Sequence, residues 1–263
     1  MSTTTPSPGK IRCEIHGNTA SIYFDHPQAY NAMTKGMYEG LRDICLDIAK
    51  KPEIRVAILR GVGGKSFVSG SDIAQFTSFV DGQDGVEYEV FIDSCFKPLQ
   101  MLNIPTIAVI EGLAVGGGLV VASSCDFRIA TPEARFGVPI AKTLGNCVSP
   151  MNMAWLVAHL GYNVMRRMLL LAEFIPASEL LASGYIYKTV ATSELDQLSN
   201  DLARKLSALA PLTQKSAKHV LARLINHGLP NGDDLTSECY GSLDFKEGVQ
   251  AFLAGKPPKW QGK

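Results

Sequence analysis

The chain has 263 residues, of which 25 are lysine or arginine and 25 are aspartate or glutamate, so its formal net charge is zero. A protein that follows nucleic-acid phosphates needs a surplus of cations on one face, and the balanced charge therefore predicts no nucleic acid partner. Apolar residues make up 46% of the chain, which excludes a disordered protein and leaves room for one large domain or for a core with an appendage.

The predicted elements of the first half begin after residues 1–10, which lack the apolar stretch of a secretory signal and which we interpret as a disordered leader. Gly17-Asn18 is a turn signal between two short strands, and apolar residues three and four apart predict the first helix. In chain order we predict strands over 11–16 and 19–24, a helix over 33–50, a strand over 54–59, a glycine-rich loop, a helix that starts near Asp72, a flexible loop over 81–86 and a helix that ends before Pro105.

In the second half of the chain, the predicted elements change from a mixture of strands and helices to mostly helices. Ser193 and Asp196 have the spacing of a capping box at a helix start. We predict strands over 107–110, 126–130, 134–136 and 185–190, a buried helix opened by the glycines 116–118, helices from Pro150 onward, a helix from Ser193, and helical segments over 212–227 and 233–254. This order indicates an α/β core over 11–192 and a helical region over 193–263.

Cysteine usage and the longest apolar run favour a cytoplasmic protein that does not cross a membrane. The six cysteines are scattered, with neither paired nor metal-ligand spacing, which favours free thiols and predicts no metal site. The apolar run over 105–122 contains Glu111 and four glycines. We therefore interpret it as a buried strand, a loop and a buried helix.

Three common catalytic or nucleotide-binding motifs are missing. Gly64-Lys65-Ser66 follows a strand, but the glycine that a phosphate-binding loop needs five positions before Gly64 is Leu59. The glycines 116–118 do not fit the dinucleotide fingerprint, and the chain has no G-x-S-x-G elbow of a serine hydrolase.

Two glycine-containing loops that each lead into a helix remain, over 65–73 and 111–119. The start of a helix leaves backbone N–H groups unsatisfied and carries positive potential. Two such groups aimed at one point would polarise a carbonyl and hold an enolate oxygen. Alternatively, the glycines serve only turns and tight packing, and the spacing alone does not decide between these readings.

These loops carry a resemblance to a known family. Residues 65–73 have the pattern K-x-F-x-x-G-x-D-I, residues 114–118 have A-x-G-G-G, and 135–139 read R-F-G-V-P; segments at 26–32, 175–185 and 247–257 fit as well. Over residues 11–257 the chain resembles the crotonase (enoyl-CoA hydratase/isomerase) superfamily. The resemblance implies an α/β fold, a crotonase-like spiral of strand–strand–helix units with a helical C-terminal trimerisation region. It also implies a homo-oligomer, either a trimer or a dimer of trimers.

The resemblance further implies an acyl-CoA substrate, with coenzyme A as part of the substrate and no other cofactor. The oxyanion hole is then formed by the backbone N–H groups of Ser71 and Gly117. Residues expected to contact CoA lie along two loops and in the tail: Ala29, Asn31, Ala32, Lys65, Ser69, Gly70, Asp72, Gly116 and Lys256. Of these, Asp72 is interpreted first as a helix-start residue, and Lys256 is expected near the nucleotide part of CoA.

The chain departs from the family at two positions that matter for the reaction. Hydratases of the family carry glutamates where this chain has Val120 and Ile140. Adding water to a conjugated double bond requires groups that position the water and exchange its proton, and neither side chain can do so. We therefore expect weak hydration of short enoyl-CoA substrates and an apolar acyl pocket lined by these two residues.

Other members of the superfamily place an acid seven or eight residues after the second glutamate position. That segment contains Asn146 and Cys147 here, which makes both candidate catalytic residues, with a buried structural thiol as the alternative for Cys147. Two hypotheses follow: an enzyme that stabilises a thioester enolate, and a non-catalytic acyl-CoA-binding protein that kept the cleft. The apolar replacements fit both.

Overall fold

The computed structural model describes residues 9–263, and within them ten strands form two sheets. The strands are β1 (Lys10–His16), β2 (Thr19–Asp25), β3 (Val56–Gly61), β4 (Ser66–Val68), β5 (Thr106–Ile110), β6 (Leu113–Val115), β7 (Phe127–Ala130), β8 (Arg135–Gly137), β9 (Ile175–Pro176) and β10 (Lys188–Thr189). The larger sheet has the order β1-β2-β3-β5-β7-β10, and the smaller has the order β4-β6-β8-β9. The predicted N-terminal hairpin is therefore present as β1 and β2, which pair antiparallel.

Helices cover the sheets and make up most of the chain after residue 150. They are α1 (Lys35–Ile48), α2 (Gly82–Gln100), α3 (Gly117–Ser124), α4 (Ile140–Thr143), α5 (Pro150–Leu160), α6 (Tyr162–Leu170), α7 (Ala177–Ala182), α8 (Leu195–Ser207), α9 (Pro211–Asn226), α10 (Asp233–Gly241) and α11 (Leu243–Leu253). Short 3-10 helices lie at Pro27–Ala29, Ile73–Ser78 and Thr192–Glu194.

The chain repeats one structural unit three times. Each unit has a strand in the larger sheet, a strand in the smaller sheet and then a helix: β3-β4-α2, β5-β6-α3 and β7-β8-α4. Equivalent strands of successive units pair in parallel, β3 with β5 and β5 with β7 in one sheet, β4 with β6 and β6 with β8 in the other. This arrangement is the predicted spiral of strand–strand–helix units.

The central strands β3, β5 and β7 of the larger sheet are buried on both faces, as their nearly continuous apolar sequences require, whereas β1 at the edge is exposed or half-buried. One face packs on the main core, where α1, α2 and α3 contribute buried side chains. On the other face, Leu195, Leu202 and Leu206 of α8 pack against strand residues that include Val56 and Ile107. These leucines of α8 therefore pack against the sheet of their own chain. The boundary at residue 192 between the α/β core and the helical region stays a prediction.

The predicted flexible loop over 81–86 is wrong, because α2 begins at Gly82. The Asp81 carboxylate accepts a hydrogen bond from the backbone N–H of Gln83, and the Asp84 carboxylate accepts one from that of Asp81. A Cβ atom on Gly82 would lie 2.0 Å from the carbonyl oxygen of Ser237, and one on Gly85 would lie 2.2 Å from Cγ of Tyr240. These glycines let α10 approach α2 closely. Because glycines are also typical of turns, the same residues have the pattern of a loop in the sequence.

Other boundaries differ for local reasons. Lys10, placed in the predicted leader, begins β1, while residues 1–8 lie outside the described residues. The expected strand over 185–190 pairs only at Lys188–Thr189. The Ser193–Asp196 capping box is wrong, because Glu194 accepts from the Ala191 N–H and Asp196 pairs with Arg60. The last predicted helical segment is divided into α10 and α11 at Ser242, whose hydroxyl caps α11.

Candidate active site

The two loops that the sequence singled out meet because their strands are neighbours. β4 and β6 pair in parallel, so both loops leave the same edge of the smaller sheet. Gly116, with φ of 52°, turns the second loop into α3, and a Cβ atom on it would lie 3.8 Å from Cα of Gly70 in the first loop. The residues at the ends of these loops, Ser71 and Gly117, line one cavity.

The backbone N–H groups of Ser71 and Gly117 have no hydrogen-bond partner among the residues that the structure describes. Ser71 and Met33 form a parallel β-bridge. Its two hydrogen bonds run from the Met33 N–H to the Gly70 carbonyl oxygen and from the Asp72 N–H to the Met33 carbonyl oxygen, so the Ser71 N–H points away from Met33. Gly117 is the first residue of α3, where N–H groups have no acceptor within the helix. Both groups are therefore available to an oxygen in the cavity.

Two tyrosine hydroxyls stand beside these N–H groups. The Ser71 hydroxyl is hydrogen-bonded to the Tyr38 hydroxyl at 2.7 Å and to the Tyr88 hydroxyl at 2.6 Å. A Cβ atom on Gly117 would lie 2.7 Å from the same Tyr38 oxygen, so this hydroxyl sits between the two loops. Burial raises the pKa of Tyr38 to about 12 and that of Tyr88 well above its usual value, which keeps both protonated at neutral pH.

The cavity has a volume of about 520 Å³ and a mostly apolar wall. Val120 and Ile140, at the two positions where the sequence departs from the family resemblance, lie in that wall with Phe76, Ile92 and Leu156. The structure brings together twelve of the predicted site residues around it: Ala29, Ala32, Ser69, Gly70, Ser71, Asp72, Gly116, Gly117, Val120, Ile140, Asn146 and Cys147.

Three predicted CoA contacts lie outside this cavity. Asn31 is buried, its Oδ1 accepts from the backbone N–H of His26 at 2.9 Å, and its Nδ2 donates to the carbonyl oxygens of Val62 and Ser66. Its side chain thus holds the loops together. Lys65 is exposed on the first loop. Lys256 lines a separate groove of about 370 Å³, whose wall shares Phe252 with the cavity.

The cavity also contains a buried carboxylate that the sequence did not single out. Glu89 of α2 accepts from the Tyr240 hydroxyl at 2.6 Å and from the backbone N–H of Ser149 at 3.0 Å. Tyr240 in turn accepts from Nδ2 of Asn146 at 3.2 Å. Burial raises the pKa of Glu89 to about 7, and it raises that of Asp93, one turn along the helix, to about 6.

The remaining candidates have local partners. A hydrogen bond with Cys239 and burial raise the pKa of the Cys147 thiol, which favours the structural alternative for this residue; a chemical role for Cys147 stays a prediction. The Asp72 carboxylate accepts from the backbone N–H of Ala74, as expected of a helix-start residue. Glu111, the charged residue within the apolar run over 105–122, forms an ion pair with Arg60 at a shortest distance of 2.6 Å and so has a structural role in its loop.

The described part of the chain contains neither a metal-binding cluster nor a membrane-spanning helix. Across residues 9–263, no three His, Cys, Asp or Glu side chains come together in a way that could hold a metal ion. The helices within that range are each too short or too polar to span a bilayer. All six cysteines are free thiols.

A family model described as enoyl-CoA hydratase/isomerase matches residues 14–263. The chain belongs to this family. Among curated relatives, it is 30% identical over 249 residues to the short-chain-enoyl-CoA hydratase of Clostridium acetobutylicum, covering 91% of this chain and 93% of the relative. It is 28% identical over 253 residues to the methylmalonyl-CoA decarboxylase of Escherichia coli, covering 92% and 94%. The family thus includes relatives named for different reactions.

Solved structures of this family have the same fold. A methylmalonyl-CoA decarboxylase in complex with 2-nitronate-propionyl-CoA superposes with a TM-score of 0.88 at 27% identity, covering 97% of this chain and 99% of that one. The predicted superfamily and its α/β spiral are therefore confirmed.

Proposed function

We propose that this protein is an acyl-CoA enzyme that stabilises a thioester enolate at the backbone N–H groups of Ser71 and Gly117. The observation that carries the proposal is the pair of N–H groups that have no partner within residues 9–263, at the end of two neighbouring loops and beside a mostly apolar cavity. Family membership supports an acyl-CoA substrate, as does the similarity to a decarboxylase that binds a CoA derivative.

The chemistry follows from where charge develops. When a bond at Cα of the acyl group breaks heterolytically, its electron pair moves toward the thioester carbonyl and the oxygen becomes negative. Two fixed N–H donors in a mostly apolar site stabilise that oxygen without reorganising. The Tyr38 and Tyr88 hydroxyls keep the Ser71 loop in place, since both are hydrogen-bonded to its side chain.

We place the CoA chain along residues 29–32 and 65–71, with Lys256 toward the nucleotide. Ala29, Ala32, Ser69 and Gly70 line the cavity, which supports this path. The groove of Lys256 adjoins the cavity at Phe252 and offers a cation to phosphate groups.

The test is turnover of an acyl-CoA panel followed by mass spectrometry. We expect crotonyl-CoA to be hydrated slowly or not at all, because Val120 and Ile140 can neither hold nor deprotonate water. We expect turnover of at least one member whose reaction passes through an enolate, such as a malonyl-type thioester. Rapid hydration of crotonyl-CoA would contradict the first expectation, and tight binding without any turnover would favour a non-catalytic acyl-CoA-binding protein.

We also propose that the protein assembles as a trimer or a dimer of trimers. Support comes from α9, whose Val220, Leu221 and Leu224 are exposed on a single chain and lie on one face of the helix. An exposed apolar face of this kind suits an interface between subunits. Light scattering at micromolar concentration is expected to give three or six times the monomer mass, and a monomeric mass would overturn the proposal.

A further inference from the structure

Proton transfer at Cα of the bound acyl group needs an acid or a base in the cavity. Whichever bond at Cα breaks to form the enolate, its return to an acyl-CoA requires a proton at Cα, and the two positions where the family resemblance places glutamates hold Val120 and Ile140. Any acid or base must therefore come from elsewhere in the cavity wall. Asp72, the other carboxylate in that wall, is hydrogen-bonded to the N–H of Ala74 at the helix start and is part-exposed.

We infer that Glu89 of α2 exchanges the proton at Cα of the bound acyl group, and this inference rests on the proposed function. The carboxyl group lies in the cavity wall and is only 8% exposed, and its helix neighbour Tyr88 reaches the Ser71 hydroxyl at the oxyanion site. One turn of α2 thus serves both ends of the reacting group: Tyr88 on the side of the carbonyl oxygen and Glu89 in the acyl cavity.

Hydrogen bonds hold this carboxylate in one orientation. Each oxygen accepts one bond, from Tyr240 or from the Ser149 N–H, which leaves further lone pairs for a proton. Tyr240 is held in turn by Nδ2 of Asn146. The Oδ1 atom of Asn146 is buried and has no partner among the described residues, although the residue lines the cavity. A buried acceptor without a hydrogen bond destabilises the folded protein, so this end of the cavity suits a ligand group that donates a hydrogen bond.

The step balances without a co-reactant. The ionised carboxylate takes the proton from Cα, the electron pair of the broken C–H bond forms a C=C bond, and the thioester oxygen takes the negative charge at the Ser71 and Gly117 N–H groups. In the reverse direction, Glu89 returns a proton to Cα. In heavy water the returned proton is a deuteron, so repeated cycles label Cα.

The surroundings of Glu89 set the pH at which this step operates. Burial holds its pKa at about 7, a value suited to a group that both takes and returns a proton at neutral pH. The Tyr240 hydrogen bond lowers this pKa, and the negative charge of Asp93 raises it. Titratable groups face Glu89 from each neighbouring element: Tyr88 and Asp93 on α2, Tyr38 on α1, Cys147 before α5, and Cys239 and Tyr240 on α10. Burial keeps the three phenols neutral at this pH.

The experiment measures deuterium incorporation at Cα of butyryl-CoA in heavy water by mass spectrometry. The wild-type protein is expected to incorporate deuterium, with a rate that rises with pH through about 7 as Glu89 ionises. Glu89→Gln is expected to lower the rate by on the order of a hundredfold or more and to remove that pH dependence, with butyryl-CoA affinity retained. Tyr240→Phe is expected to retain exchange and to move the rise to higher pH, since the hydroxyl that lowers the pKa is lost.

Glu87→Gln is the matched control, because Glu87 lies two residues away on α2 and is exposed. Its rate is expected to equal that of the wild type. Equal exchange in the wild type and Glu89→Gln would overturn the inference, and so would a wild type that turns over a panel substrate without labelling butyryl-CoA, which would leave the proposed function standing. A wild type that neither binds nor turns over any acyl-CoA would overturn both.

Discussion

Replacement of Gly117 by valine is expected to lower acyl-CoA turnover by on the order of a hundred- to a thousandfold, the cost of one lost oxyanion donor. A Cβ atom at this position would lie 2.7 Å from the Tyr38 hydroxyl, closer than van der Waals contact allows. Valine therefore either moves the start of α3, which misdirects the Gly117 N–H, or displaces Tyr38 from Ser71. Both loops of the oxyanion site are affected by one substitution. If the protein only binds acyl-CoA, the same variant is expected to lose that binding.

A control for this variant has to distinguish a local effect on the oxyanion site from a general effect on folding. Gly118→Ala does not do so, because its Cβ atom would lie 2.0 Å from the carbonyl oxygen of Val68 and would force α3 away from β4. Gly36→Val is better matched, since nothing lies within 4 Å of a Cβ atom at this position in the first turn of α1. A folded Gly117→Val variant with unchanged turnover and acyl-CoA affinity would show that the oxyanion hole lies elsewhere.

The second large effect concerns stability and pH. The pKa of Glu89 is about 7 in the folded protein, against 4.5 for an ordinary glutamate. Between these values the folded state holds a proton that the unfolded state has released, so the free energy of unfolding falls as the pH rises through this window. The contribution of Glu89 is fully present below about pH 4.5 and is lost above about pH 7, a difference of about 3 kcal/mol. Asp93, with its pKa raised to about 6, acts in the same direction.

Comparison with Glu89→Gln isolates this contribution, because glutamine keeps the shape of the side chain and carries no charge at any pH. Thermal unfolding between pH 5 and pH 8 is expected to show the variant gaining stability relative to the wild type as the pH rises. The expected gap at pH 8 is several degrees in Tm. Parallel Tm curves for the two proteins would mean that Glu89 titrates as an ordinary carboxyl group.

Local patterns in the sequence were sufficient to predict an α/β core and the two glycine loops, and the family resemblance implied the spiral. The loops depend on short-range requirements, such as the positive φ of Gly116, which restrict the residue types at fixed spacing. Family resemblance then assigned Ser71 and Gly117 to the same site, and both residues line the cavity.

The polar end of the cavity could not be predicted in this way. Glu89 faces the cavity because α10 packs on α2, and Gly82 and Gly85, which permit that approach, have the pattern of a flexible loop in the sequence. Tyr38 occupies a position on the buried face of α1 where any large apolar residue would satisfy the helical pattern. Partners of such residues are distant in the sequence, and no local signal identifies them.

The hydrogen bond between Tyr240 and Glu89 joins residues 151 positions apart. Closing so long a stretch of chain costs conformational entropy, so this end of the cavity depends on the docking of α10 as well as on the spiral of strands. Its two hydrogen-bond donors come from separate parts of the chain, since Tyr240 lies on α10 and Ser149 directly precedes α5. The chemical character of the Glu89 carboxyl group is therefore a property of the whole folded chain, and a fragment that lacks α10 would not reproduce it.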